Sequence, residues 1–277
     1  LFTRQDEFEQ ARQHIASAIE IYEENANADP LKLAGSYAQM GTLLGRQEQV
    51  LEQREMLGRA LDIYLQHESA NYRGLNMVYS GIAWSHAIMG EYEDAATYFD
   101  KSLEVSRANF GDDHPTTLSA RSNLGIALRR QGDHQGALQH LNSVVQIARE
   151  NDDAEQLLGA LVNVGNVYLD KGDLQAARST FEECLQHSAL LEQMPGNKAF
   201  IQNNLASVLL SQGEFELGVV LLREALLLKQ EVFGAQSLTA ARTMLSLVEG
   251  QMLAAKDTDA ANLLDKAQKI YEVQFGP

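Results

Sequence analysis

Small residues recur along the chain at a nearly constant interval, and this feature most constrains the fold. The seven phased positions are Ala18, Ala60, Ser102, Val144, Cys184, Ala225 and Ala267. Their separations are 42, 42, 42, 40, 41 and 42 residues. A fixed period of this length is typical of a repeat protein, in which each unit buries its apolar face against its neighbours.

Other columns share the same phase. Three residues before each small position stands a bulky apolar residue: Ile15, Leu57, Phe99, Leu141, Phe181, Leu222 and Leu264. Nineteen residues before it the side chain is again mostly small: Gly41, Ala83, Gly125, Gly165, Ala206 and Val248. Offsets of three, four and seven residues are helical spacing. The columns therefore predict two helices in each unit, packed closely where the small residues lie.

A glycine falls between the two helices of several units, at Gly90, Gly132, Gly172 and Gly213. Glycine adopts a left-handed conformation at little steric cost and so ends a helix. Each unit is predicted to be a first helix, a tight turn, a second helix and a longer loop. The chain is expected to hold six full units and one half unit, with thirteen helices in all.

These columns resemble the tetratricopeptide repeat, and the 42-residue length is similar to the kinesin light chain type. The stretch 110–117 followed by 122–125 is very close to that family's linker and helix start, with Pro115 beginning a helix capped by Asp113 or His114. The resemblance implies an all-α, right-handed α-solenoid, a superhelix of stacked antiparallel helix pairs. It implies one array over 1–277, with a half repeat at 1–30 and full repeats at approximately 31–72, 73–114, 115–156, 157–196, 197–237 and 238–277.

In this family the first helices line a concave groove, and the residue two before the small first-helix column points into it. Here that residue is Gln39, Gly81, Asn123, Asn163, Asn204 and Ser246. An amide both donates and accepts, which suits pairing with a peptide backbone. The asparagines resemble a ladder that holds extended peptides, with Asn166 and Asn203 beside it. Alternatively, these amides bond neighbouring helices and stabilise the superhelix.

Three further residues are candidates for the groove. Trp84 is expected to face the groove or, alternatively, to pack between first helices. Arg129 and Arg130 lie near the groove edge, where they would pair with an acidic peptide or simply remain solvated. Related repeats hold chaperone tails with lysines that lie three residues before the small first-helix column. This chain has no lysine at that position, so binding of chaperone tails is disfavoured.

Composition excludes several other classes of function. Lys plus Arg is 22 and Asp plus Glu is 38, a net charge of −16, which argues against nucleic-acid binding and against docking on anionic membranes. The longest apolar stretch, 217–222, is too short to span a bilayer. No phosphate loop, nucleophile elbow or pair of histidines at zinc-binding helical spacing occurs. We therefore expect no catalytic residue, no cofactor and no metal, and Cys184 is interpreted as a buried structural thiol.

The leading hypothesis is a non-catalytic interaction module that binds a peptide segment of a partner protein in its groove. It would form part of a larger signalling or regulatory protein, since neighbouring repeats or other domains are expected beyond both ends. One alternative is a receptor for a small signalling peptide or metabolite that changes superhelical pitch. Another is a scaffold that self-associates, as a homodimer, through exposed solenoid ends. The absence of a signal segment and the single thiol favour the cytoplasm.

Overall fold

The structure, a computed structural model, describes residues 2–25, 27–67, 72–255 and 259–276. In this part of the chain there are fourteen α-helices and no β-strand. The helices are α1 (Phe2–Glu24), α2 (Pro30–Arg46), α3 (Val50–Gln66), α4 (Tyr72–Ile88), α5 (Tyr92–Phe110), α6 (Pro115–Gln131), α7 (His134–Glu150), α8 (Ala154–Lys171), α9 (Leu174–Gln186), α10 (Ser188–Gln193), α11 (Pro195–Ser211), α12 (Phe215–Phe233), α13 (Leu238–Leu253) and α14 (Ala260–Phe275).

The helices group into two compact units, Leu1–His140 and Leu141–Pro277, and the division falls in the sequence of α7. In unit 1 the first helices are α2, α4 and α6, and α2 packs on α3 as α4 packs on α5. In unit 2 the first helices are α8, α11 and α13, which pack on α9, α12 and α14. The all-α class with stacked helix pairs is thus confirmed. The repeat boundaries stay a prediction, and positions 1, 26, 68–71, 256–258 and 277 of those repeats lie outside the described residues.

The phased columns form the core. All small-column residues from Ala60 to Ala267 are completely buried, and the bulky column from Leu57 to Leu222 is at most 1% exposed. A Cβ atom added at Gly165 would lie 2.7 Å from the Phe181 ring, so glycine lets the two helices of that repeat close on the aromatic side chain. Leu264 departs from its column, with 48% of its surface exposed.

The predicted turns are confirmed at all four glycines. Gly90, Gly132, Gly172 and Gly213 have φ angles of 78°, 95°, 79° and 83°. Pro115 begins α6, and the ring of His114 caps it, since its Nδ1 atom accepts a hydrogen bond from the Thr116 amide at 3.2 Å. Left-handed glycines therefore follow the first helices, and a proline begins α6, as the sequence indicates.

The predicted number of thirteen helices was wrong, because α10 is an additional short helix between α9 and α11. Helix α9 ends at Gln186, since His187 leaves the helical region with a ψ of 48°. The chain then forms one further helical segment before Pro195 begins α11. Leu191, 1% exposed, anchors this segment, so burial of one apolar side chain holds it in place.

Candidate functional site

The exposed side of the first helices is the surface on which the candidate groove residues stand, and we call it the first-helix face. It follows the helical pattern i, i+4, i+7 and i+11, and all its residues are exposed or half-buried. In unit 1 it comprises Gly35, Gln39, Thr42, Arg46, Met77, Gly81, Trp84, Ile88, Ser119, Asn123, Ile126 and Arg130. In unit 2 it comprises Gly159, Asn163, Asn166, Asp170, Phe200, Asn204, Ser207, Ser211, Arg242, Ser246, Glu249 and Leu253.

Two of the predicted amides are available for an incoming chain. Asn123 is half-buried on α6 in unit 1, and Asn163 is half-buried on α8 in unit 2. Within the described residues neither side chain makes a hydrogen bond. A partly buried amide without a protein partner loses little by exchanging water for a peptide group, so each can serve as both donor and acceptor.

A second pair of predicted amides bonds to each other. The Nδ2 atom of Asn204 on α11 donates to the Oδ1 atom of Asn166 on α8 at 2.9 Å. This contact links the first helices of neighbouring repeats, which is the structural role weighed as the alternative. The bond leaves the Asn204 Oδ1 atom, one N–H group of Asn204 and both N–H groups of Asn166 for additional contacts.

Asn203 belongs to a buried polar cluster. Its Oδ1 atom accepts hydrogen bonds from Lys229 Nζ at 3.2 Å and from Thr243 Oγ1 at 3.0 Å. The Lys229 ammonium also donates to Thr243 at 2.7 Å and stands 4.7 Å from the centre of the Phe200 ring. Burial, with a contribution from Arg242, lowers the pKa of Lys229 to about 8. The cluster joins α11, α12 and α13, and sequence reasoning missed its lysine.

Trp84 stands on the first-helix face, and its ring contact is with a second helix, α5, not with a neighbouring first helix. Its side chain is 43% exposed on the first-helix face, and its ring meets the buried Phe99 ring edge-on with centroids 5.3 Å apart. The contact fixes the orientation of the indole while leaving much of it in solvent. Met77 and Ile88 are also exposed on the same side of α4, at 40% and 64%. Together they form an apolar patch that was not predicted.

The two arginine candidates differ in their surroundings. Arg130 is exposed at the end of α6, whereas Arg129 is partly buried and already engaged. On the unit 1 face Arg46 and Arg130 are the charged residues, and both are basic. In unit 2 a pocket of about 230 Å³ opens between α11 and α13, with Ser207, Ser246 and Glu249 in its wall. The two faces therefore offer different chemistry to a bound chain.

A repeated ion pair fastens successive repeats, and sequence reasoning did not find it. Arg54 Nη2 on α3 lies 2.9 Å from Glu91 Oε2 in the next turn, and Arg178 Nη1 on α9 lies 2.5 Å from Glu214 Oε1 in the corresponding turn. Each arginine stands six residues before the small column and each glutamate eleven before it. The ion pair can therefore be recognised in the sequence when polar residues, and not only apolar ones, are compared at equivalent positions of the repeats.

One cluster has metal-ligand chemistry. His86, Glu91 and Asp94 place their ligand atoms within 4.8 Å of one another, and His86 Nδ1 lies 2.6 Å from Glu91 Oε2. The hydrogen bond from His86, together with the charge of Arg54, lowers the pKa of Glu91. Because the Arg54 guanidinium is bonded to the same carboxylate oxygen, it would oppose a cation there. The geometry favours an ion-pair network between α3 and the turn.

Three family models, each described as tetratricopeptide repeat, match residues 75–150, 158–186 and 201–238. The chain is a tetratricopeptide repeat protein. Each match covers most of at least one first helix and the whole of the second helix paired with it. Within the described residues of this tetratricopeptide repeat protein, no helix is both long enough and apolar enough to cross a membrane.

The chain is similar to tetratricopeptide repeat protein 29 of Macaca fascicularis, with 27% identity over 141 residues, 51% of this chain and 29% of that protein. It thus spans less than a third of that relative. The quorum sensor NprR in complex with its cognate peptide NprX has the same fold, with a TM-score of 0.65, 15% identity, and coverage of 98% and 78% of the two chains. A putative kinesin light chain from Podosopora anserina matches with a TM-score of 0.58, 17% identity, and coverage of 72% and 96%.

Proposed function

We propose that this tetratricopeptide repeat protein is a non-catalytic module that binds an extended peptide segment of a partner protein on its first-helix face. The observation that carries the proposal is the state of Asn123 and Asn163. Asn123 on the unit 1 face and Asn163 on the unit 2 face are each half-buried, and neither makes a side-chain hydrogen bond within the described residues. On each face, an amide that can both donate and accept suits pairing with a peptide backbone.

Specificity would come from what lies beside the amides. The exposed part of Trp84 offers an apolar anchor in unit 1, held in place by Phe99. The pocket of about 230 Å³ between α11 and α13 offers a polar recess in unit 2. The solved complex of NprR with NprX supports the proposal at the level of the fold, since that protein binds a peptide.

The test is a peptide-display selection on the wild-type chain and on the double variant N123A/N163A. We expect enriched peptides on the wild type and a loss of their binding of about tenfold on the variant, since two backbone hydrogen bonds are removed. The matched control is N109A/N262A, which removes two exposed asparagines from second helices. Circular dichroism must show equal helicity in all three chains.

Equal binding of the selected peptides to N123A/N163A and to the wild type contradicts the backbone-pairing mechanism. A second candidate function, a receptor for a small signalling peptide that alters the pitch of the array, is favoured by the same NprR complex. Solution scattering separates the two, because the receptor predicts a change in radius of gyration on binding and a passive module predicts none.

A further inference from the structure

Unit 2 contains a cavity away from the first-helix face. It has a volume of about 380 Å³ and lies between the end of α12, the connection to α13, and α14. This volume falls in the range of small-molecule sites. Met244 of α13 reaches it from the buried side, whereas the first-helix face of α13 carries other residues. The cavity is therefore separate from the proposed peptide site.

The floor of the cavity is apolar and continuous with the core of unit 2. Met244 is 2% exposed, and Ile270 is packed against the same hydrophobic cluster. Val273 extends the apolar lining along α14 toward solvent, with 86% of its surface exposed. An aliphatic chain bound here would remove its own apolar surface and that of the lining from water, and the packed core would not have to rearrange.

The mouth of the cavity is basic. Lys266 and Lys269 lie on α14 one turn apart, and both line the cavity. Lys269 is paired with Asp265 at 2.7 Å in an exposed contact that water screens, whereas Lys266 makes no ion pair within the described residues. None of the nine lining residues is acidic, in a chain whose net charge is −16. Three glutamines add amide donors to the same lining.

We propose that this cavity binds a medium-chain aliphatic carboxylate. Its hydrocarbon chain lies on Met244 and Ile270, and its carboxylate accepts hydrogen bonds from Lys266 and from a glutamine amide. An aliphatic carboxylate fits better than a neutral lipid, because the ammonium of Lys266 otherwise has no counter-charge in the lining. It fits better than an aliphatic cation, because the ammonium of Lys266, which makes no ion pair within the described residues, would repel one.

The test uses the full chain with ¹³C-labelled methionine and isoleucine methyl groups. Decanoate is titrated below its micelle concentration, beside decanol and decyltrimethylammonium. We expect saturable shifts of the Met244 and Ile270 methyl signals with decanoate, about tenfold weaker binding of decanol and no binding of the cation. K266Q should weaken the binding of decanoate about tenfold and leave the binding of decanol unchanged. K171Q, which removes an exposed lysine outside the cavity, should change the binding of neither ligand.

Three outcomes overturn the proposal. Equal affinity for decanoate and decanol would show that the lysines do not recognise the ligand. Equal behaviour of K266Q and K171Q would show that the effect is one of net charge. Shifts of the two methyl signals with protein concentration alone would show that a second copy covers the cavity. The inference does not depend on the peptide site, since N123A/N163A should bind decanoate as the wild type does.

Discussion

Replacement of Lys229 by methionine should stabilise the protein at neutral pH and lose that advantage in alkali. Lys229 is 4% exposed, and its pKa falls from 10.5 to about 8. At 1.36 kcal/mol per pKa unit, holding the ammonium in the folded state costs about 3 kcal/mol. The methionine avoids this cost but loses the amine's hydrogen bonds to Asn203 and Thr243, worth about 1 kcal/mol each. The net gain expected at pH 7 is about 1 kcal/mol.

The sign of the pH dependence follows from linkage. The folded pKa lies below the unfolded one, so between pH 8 and 10.5 the unfolded chain binds more protons than the folded chain. Wild-type stability relative to K229M must therefore rise with pH through this window, and below pH 8 the full cost is present. Other titrating groups cancel in the difference between the two proteins.

Urea unfolding of wild type and K229M at pH 7, 8, 9 and 10 measures this difference. We expect the variant's advantage to shrink steadily from pH 8 upward, with K171M as the control for loss of an exposed lysine. A stability difference that is the same at every pH would refute the reasoning, because it would mean that the Lys229 ammonium is no more costly in the folded state than in the unfolded state.

Three further predictions concern the repeat framework. Gly172→Ala should lose about 1–2 kcal/mol, because φ is 79° there, whereas Gly159→Ala, in open space within α8, should gain about 1 kcal/mol in the same urea assay. Arg178→Ala should lower the melting temperature slightly, and the loss should fade with added salt because the contact with Glu214 is screened. Cys184, whose pKa burial raises to about 12, should react with a thiol reagent at pH 8 only after unfolding.

The core was predictable from the sequence because packing imposes the same requirement on every repeat. A second helix such as α9 can close on its first helix only if a small residue, here Gly165, faces a bulky one, here Phe181. The requirement recurs at a fixed interval, and so does the residue type. The same holds for the turns, where a positive φ angle selects glycine. Because the same physical constraint acts in every repeat, the residue pattern that it imposes can be recognised in a single sequence.

The polar interior was not predictable in this way. The same position is buried in several repeats, but the type of residue there differs from repeat to repeat. The column four residues after the small one is buried at Tyr64, Ser106, Ala148 and Lys229. Each of these repeats fills the space with different chemistry, and the partners of Lys229 come from helices α11 and α13. No pattern along the chain marks a buried lysine whose hydrogen bonds are supplied by the first helix of its own repeat and by the next repeat.

The first-helix face lies between these two cases. Its position follows from helical spacing, which places Asn123, Asn163 and Asn204 on it, whereas the predicted Asn203 and Arg129 lie off it and the exposed Met77 and Ile88 were not predicted. The use of each amide depends on the neighbouring repeat: Asn204 finds Asn166 at 2.9 Å, whereas Asn163, in the same column, makes no such bond within the described chain. Since burial of the core does not constrain this face, its side chains can change without loss of the fold. That freedom is why we propose that this face, rather than the phased core columns, carries a binding preference particular to this chain.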